Sequence, residues 1–236
     1  MTELALTTPN GVSVVFEARD GTNDHNVVFS ICAADEYGLR GTTTLEGWAL
    51  DLGAHVGGVS ICLALDNPNL RDVVAVEPVP ENAELIRRHA ARNGVRDRLS
   101  VLELAVGAPG DRVTMRYGFR HGTEIDHHAW IGNSSNVYQD PPVEDHDELE
   151  VGCLDLLALR EAHGSAPSFV KVDCEGGEWP ALEQLVALGS PVVIGEWHPV
   201  LGHQSADELV AAFVAAGYSV QLDGPDGGPG LFRATL

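Results

Sequence analysis

The sequence predicts a doubly wound α/β domain built on a mostly parallel sheet. Three observations lead there. From Leu45 onward, short β-prone runs alternate with amphipathic or apolar helical segments. An apolar run closes on Asp51 and a glycine-crowded turn, and the chain ends in two β-prone runs joined tightly. Strand–helix alternation demands right-handed crossovers, which set helices on both faces of a parallel sheet.

The elements follow in chain order. "LALTTPNGVSVVFEA" reads as a hairpin around Pro9-Asn10-Gly11, and a short helix is expected near Val27 to Asp35. Residues 1–44 thus form an N-terminal hairpin and lid-like extension to a domain spanning 45–236. Strand "GWALDLG" precedes helix "GGVSICLALD", stopped by Asn67-Pro68. Strand "DVVAVEP" precedes helix "PENAELIRRHAARNG", with Pro80 in its first turn and Gly94 closing it. Strands "LSVLELAVG" and "RVTMRYG" follow, then the irregular stretch 118–147, where substrate contacts are expected because long loops inside compact domains tend to be functional. After it come helix "LDLLALREAHG", strand "SFVKVD", helix "EWPALEQLVALG", strand "PVVIGEW" and helix "SADELVAAFVAAG". "YSVQL" and "GLFRATL" are too close for a crossover and are expected as an antiparallel hairpin at one edge.

The whole chain bounds the function. Its 236 residues can bury one full core, and 14 Lys+Arg against 35 Asp+Glu give a net charge of −21. Such a surface repels nucleic acid and anionic membranes, and the one basic cluster, Arg87 to Arg98, falls on a helix and turn as a solvated face. No run approaches the roughly 18 apolar residues of a membrane span, and the N-terminus carries no signal-peptide pattern. The four cysteines lack any C-x-x-C pair and read as free thiols. A cytoplasmic protein acting on a small molecule is expected, with no nucleic-acid and no membrane partner; a homodimer is left open.

The strand ends carry the chemistry. Ligands of open α/β sheets bind where strand order switches, at the carboxyl ends. Asp51 ends the first strand of the alternation, Gly53 and Gly57 let the turn bend and approach a ligand, and Glu77 ends the second strand, placed to accept from ribose hydroxyls. A dinucleotide loop needs its middle glycine against the pyrophosphate, and His55 stands there instead. No tyrosine has a lysine four residues on, and no P-loop is present. S-adenosylmethionine has adenosine without phosphate and an amino-acid end, and it suits Asp51, Gly53, His55, Gly57 and Glu77; Ala105, in the third strand of the alternation, completes the expected donor set together with Asp173.

The segments "LDLGAHVGGVSICLA", "VVAVEPVPENAELIRRHAARNG", "LELAVGAPGDRVTM", "GCLDLL", "FVKVDCEGGEWPALEQL" and "VVIGEWHP" resemble, in this order, the FkbM family of S-adenosylmethionine-dependent methyltransferases. The strongest match is Lys171 to Glu178, similar to a K-x-D-x-E-G-x-E signature, and Asn133-Ser134-Ser135 resembles a serine-containing stretch of that family. The resemblance implies a seven-stranded, Rossmann-like class I methyltransferase fold. It also implies methyl transfer to a hydroxyl of a sugar, polyketide or other secondary metabolite. Transfer to a small-molecule amine and non-catalytic binding of S-adenosylmethionine are the alternatives.

An alcohol oxygen needs a base or a cation before it attacks a methyl group. Asp173, Glu175 and His198 are the expected catalytic residues, with Asp173 and His198 as the acid/base or acceptor-orienting pair. Asp173 has a second reading as a helix cap, and His198 as a loop histidine. Glu178 is expected to orient the loop. Trp130, Asn133, Ser134 and His128 are the substrate candidates; Trp179 is expected in the core and Trp197 near the acceptor. His127 and His128, adjacent on an extended run, point to opposite sides and do not chelate together. A divalent ion on carboxylates such as Asp173 and Glu196 is the alternative to a metal-free site, and magnesium favours oxygen ligands.

Overall fold

The computed structural model describes residues 1–117, 119–121, 124–126, 130–131, 147–200, 203, 205–224 and 229–236, with backbone alone at 119–121, 124–126 and 130–131. The hairpin of β1 (Thr2–Thr7) and β2 (Ser13–Ala18) leads into α1 (Asp24–Phe29) and a π-helical turn, Ser30–Ala34. Then come β3 (Gly47–Leu52), α2 (Gly58–Asp66), β4 (Leu70–Val76), α3 (Pro80–Arg92) and β5 (Leu99–Leu102). A second group follows: β6 (Arg112–Tyr117), β7 (Phe119–His121), β8 (Glu124–Asp126), β9 (Trp130–Ile131) and β10 (Asp147–Gly152). The chain closes with α4 (Leu156–His163), β11 (Phe169–Val172), α5 (Glu178–Ala187), β12 (Val192–Trp197), α6 (Asp207–Ala215), β13 (Ser219–Asp223) and β14 (Gly230–Thr235).

The main sheet has seven strands in the order β13-β14-β12-β11-β3-β4-β5, with β14 antiparallel to both neighbours and the other pairings parallel. This is the predicted class I methyltransferase arrangement, and order reverses between β3 and β11. The closing hairpin lies at one edge of the sheet as expected, with its second strand, β14, inserted between β13 and β12. The stretch expected to be irregular also contains regular pieces, since β6 pairs β10 and β9, and β7 pairs β8.

Burial explains the strands. In β3, Trp48 through Leu52 are all buried, as a parallel strand covered on both faces requires. Helix α2 is buried nearly all round, whereas α3 buries Asn82, Ala83, Leu85, Ile86, His89 and Ala90 at helical spacing and turns its arginines outward. Those arginines form ion pairs with acids: Arg88 with Glu17, Arg92 with Glu3 and Glu17, and Arg87 with Glu103. The basic cluster therefore secures the acidic hairpin. Thr8 Oγ1 and Asn10 Nδ2 donate to Asp66 at 2.6 and 2.8 Å, tying the hairpin turn to the end of α2. Val14, Phe16, Val28, Ile31, Tyr37 and Leu39 enter the same apolar cluster as Ala49, Val59 and Ile61, so the N-terminal segment shares the core of the sheet. No helix among the described residues is long and apolar enough to cross a membrane.

At Gly195 in β12, a Cβ would lie 2.0 Å from the carbonyl oxygen of Val172 in β11, closer than any side chain allows. Gly195→Ala is expected to cost about 3 kcal/mol of stability, read as a lower urea midpoint at unchanged slope.

Candidate functional site

The carboxyl ends of β3, β4, β11 and β12 open on one cavity of about 480 Å³. Gly53, His55, Glu77, Ala105, Asp173, Glu175, Glu196 and His198 all line it, so eight residues singled out from the sequence converge. Two others stand behind it. Asp51 is fully buried and accepts from Ser60 Oγ at 2.5 Å; it supports the turn and does not reach the cavity. Gly57 precedes α2 at φ 84°, where a Cβ would press within 3.1 Å of Ile86; its role is close packing. Trp130 is placed by its backbone alone, opposite Arg116 in the β6–β9 pairing. His127, His128, Asn133 and Ser134 lie outside the described residues. Neither member of the Trp179/Trp197 pair lines the cavity: both are buried in the core, 6.4 Å apart edge to face, which corrects the acceptor-side expectation for Trp197.

The turn is held by its neighbours. Gly53 N and Ala54 N donate to Val76 O at 3.0 Å each, and His55 N, at a left-handed φ of 50°, donates to Glu77 Oε2 at 2.8 Å. At Gly53 a Cβ would sit 1.7 Å from the Asp173 carbonyl oxygen, so the turn lies directly on the end of β11. Glu77 also receives Val79 N at 3.0 Å and Asn82 Nδ2 at 3.2 Å. Burial raises its pKa to about 7, against the lowering effect of these donors.

Lys171 stands beside the turn and joins it to the end of β11. Its Nζ donates to Gly53 O at 2.6 Å and stands 3.5 Å from Asp51 and 3.6 Å from Asp173. Burial alone would lower its pKa, but the two carboxylates raise it, so the ammonium stays charged. Tyr37 Oη donates to Asp173 Oδ2 at 2.8 Å, and burial, then the Asp173 charge, holds the phenol well above its ordinary pKa. Tyr37 is joined at the cavity by Asn23, Asn26, Ser30 and Glu36 from the same N-terminal segment, and Met115 of β6 lines the cavity too. None of these was singled out from the sequence. Lys171 was named only as the start of the K-x-D-x-E-G-x-E resemblance, although a lone cation in an otherwise apolar strand was a signal of its own; Tyr37 carried none.

His198 follows β12. Its Nε2 faces Glu175 at 3.4 Å, Asp173 at 3.8 Å and Glu196 at 4.0 Å, and its Nδ1 lies 3.2 Å from Glu178. Burial works to lower its pKa, yet the Glu178 hydrogen bond and the charges of Glu175, Glu178 and Asp173 raise it to about 10. At neutral pH that value favours the imidazolium, which faces the three carboxylates. Glu196 is raised to about 7 by burial and then by the Asp173 charge. Glu178, wholly buried, accepts from His198 N at 2.6 Å and Gly176 N at 3.0 Å, the orienting role expected for it. One ligand atom from each of Asp173, Glu196 and His198 lies within 4.8 Å of the others.

The model of the methyltransferase FkbM domain matches residues 51–220. Methyltransferase FkbM from Methylobacillus flagellatus KT superposes with a TM-score of 0.48 at 18% identity, over 80% of this chain and 43% of its own. An O-methyltransferase from Bacillus cereus in complex with SAH gives 0.43 at 18% identity, over 80% and 74%. A ribosomal protein L11 methylase from Lactobacillus delbrueckii subsp. bulgaricus gives 0.48 at 10%, over 84% and 74%. No curated protein matches significantly.

Two outcomes test these electrostatics. Lys171→Met leaves Asp51 and Asp173 facing each other without their cation and is expected to cost about 3–5 kcal/mol, read from thermal or urea unfolding. Glu77 has a folded pKa of about 7 against 4.5 unfolded. Its contribution to stability is therefore fully present below 4.5 and lost as pH rises through 7, by about 3 kcal/mol. Glu77→Gln should flatten the stability profile over that window; an unchanged profile would show that Glu77 titrates normally.

Proposed function

The chain belongs to the FkbM methyltransferase family, and from that premise we propose that it transfers the methyl group of S-adenosylmethionine to a hydroxyl oxygen of a small-molecule acceptor, a sugar, polyketide or other secondary metabolite. One observation carries the reading: a single cavity is lined by buried Glu77, the Gly53–His55 turn and the carboxylates Asp173, Glu175 and Glu196. Its volume of about 480 Å³ falls within the roughly 300–1,000 Å³ of metabolite sites.

The residues fit the donor. Glu77 is a buried carboxylate facing the cavity, suited to accept from ribose hydroxyls. His55 occupies the position where a pyrophosphate would need glycine. When bound, the donor supplies an activated sulfonium methyl group. The chain then has to align the acceptor for in-line attack and receive one proton. Asp173, Glu175 and Glu196 are the carboxylates available to take it, and His198 holds them in place. Tyr37 and Lys171 fix Asp173 from two sides. A small-molecule amine, bound as its ammonium ion and attacking after one of these carboxylates takes its proton, is the second acceptor reading, favoured by the surplus of carboxylates around Lys171 and His198.

Calorimetry tests the donor: S-adenosylmethionine and S-adenosylhomocysteine are expected to bind and NADH not to bind, and the reverse pattern would sink the reading. Labelled S-adenosylmethionine incubated with a metabolite extract is expected to give an O-methylated product by mass spectrometry. Asp173→Asn should abolish turnover while donor affinity changes little. An N-methylated product would move the assignment to amines.

A further inference from the structure

We propose that Asp173, Glu196 and His198 form a binding site for one divalent metal ion of the manganese type. The three side chains come from the ends of the adjacent parallel strands β11 and β12, and all three line the cavity. Their candidate ligand atoms lie within 4.8 Å of one another. Three ligands about 2.2 Å from a shared ion stand roughly 3.1–3.8 Å apart, and Nε2 already lies 3.8 Å from Asp173 Oδ1 and 4.0 Å from Glu196 Oε1. The two carboxylates would have to close on each other by up to about 1 Å. Asp173 is held through Oδ2 by Tyr37 and Lys171 and keeps Oδ1 toward His198, so the adjustment falls on Glu196, whose side chain is 29% exposed.

The second observation is the arrangement behind the imidazole. Glu178 Oε1 lies 3.2 Å from His198 Nδ1, and the same carboxylate is anchored by the backbone N–H groups of His198 and Gly176. A carboxylate accepting from Nδ1 fixes the ring and leaves Nε2 for an ion, the support that metal-bound histidines usually have. A histidine packed only for stability has no need to aim its other nitrogen at three carboxylates. Here Nε2 faces Asp173, Glu175 and Glu196 together, and an ion would bring two positive charges into that field.

Coordination is simple in its balance. Nε2 gives its proton to solvent and offers its lone pair, the carboxylates ligate as anions, and no electron moves. The donor set decides the class of ion. Carboxylates alone suit magnesium, whereas imidazole brings in first-row transition ions, so the mixed set favours manganese over the magnesium expected from oxygen ligands alone. Because the cluster opens on the cavity, further coordination positions face the acceptor side, and an ion there would stabilise a developing alkoxide. That catalytic value rests on the methyl-transfer reading; the binding does not.

The test uses the full chain and manganese alone. Free Mn²⁺ is followed by its electron paramagnetic resonance signal during titration with protein, and S-adenosylhomocysteine binding is measured by calorimetry on the same samples. One ion per chain is expected to leave the free pool. Glu196→Gln and Asp173→Asn should each weaken binding by at least about tenfold. Glu208→Gln, which alters the exposed His203–Glu208 pair, should leave it unchanged. An undiminished free signal at millimolar protein would overturn the site, as would equal binding by a folded Glu196→Gln variant. S-adenosylhomocysteine bound without manganese removes the metal site alone; manganese bound without S-adenosylhomocysteine keeps the metal site and removes the donor reading.

Discussion

The site depends on one buried cation. Lys171 stands in register with Asp51 across the β11–β3 pairing, and its ammonium reaches Asp51, Asp173 and the Gly53 carbonyl at once. A buried ion pair adds little net stability over a well-packed apolar pair. What it supplies is position. Two carboxylates in adjacent strands cannot be buried near each other without such a partner, and Lys171 is shared between them. The strand ends, the glycine turn and the Asp173 side chain are thereby fixed relative to one another.

From that fixed point the cavity acquires two unlike ends. Toward β4, Glu77 is wrapped by backbone donors from the turn and from the start of α3. Toward β12, carboxylates gather around His198, whose ring is set by Glu178 at the start of α5. The N-terminal segment closes a third side, and Tyr37 crosses 136 positions of sequence to reach Asp173. It lies outside the residues matched by the family model, which begin at 51, so this part of the wall is a feature of the chain beyond the matched domain.

Much of this was legible because its signals are local. Apolar runs such as "WALDL" and helices with Pro80 at the start or Asn67-Pro68 at the end announce themselves by periodicity and caps. Acids at strand ends are equally local, which is why Glu77, Asp173 and Glu196 were found. The losses have physical reasons. A tight connection shows that β13 and β14 pair, but nothing local says which of them meets β12. Strand β10, "DELEVG", alternates charge with apolar residues on a half-exposed surface and hides among loop residues. Asp51 and Glu77 look alike in sequence, and only the position of Ser60 and Lys171 behind the turn turns Asp51 away from the cavity. Tyr37 sits in a stretch without periodicity, and its partner is set by tertiary packing alone.

The most direct test of the account is the structure of the complex with S-adenosylhomocysteine. Ribose hydroxyls are expected on Glu77, the amino-acid end over the Gly53–His55 turn, and the sulfur directed toward Asp173 and Glu196. A nucleoside lying away from Glu77, or a sulfur directed away from the carboxylates, would contradict it.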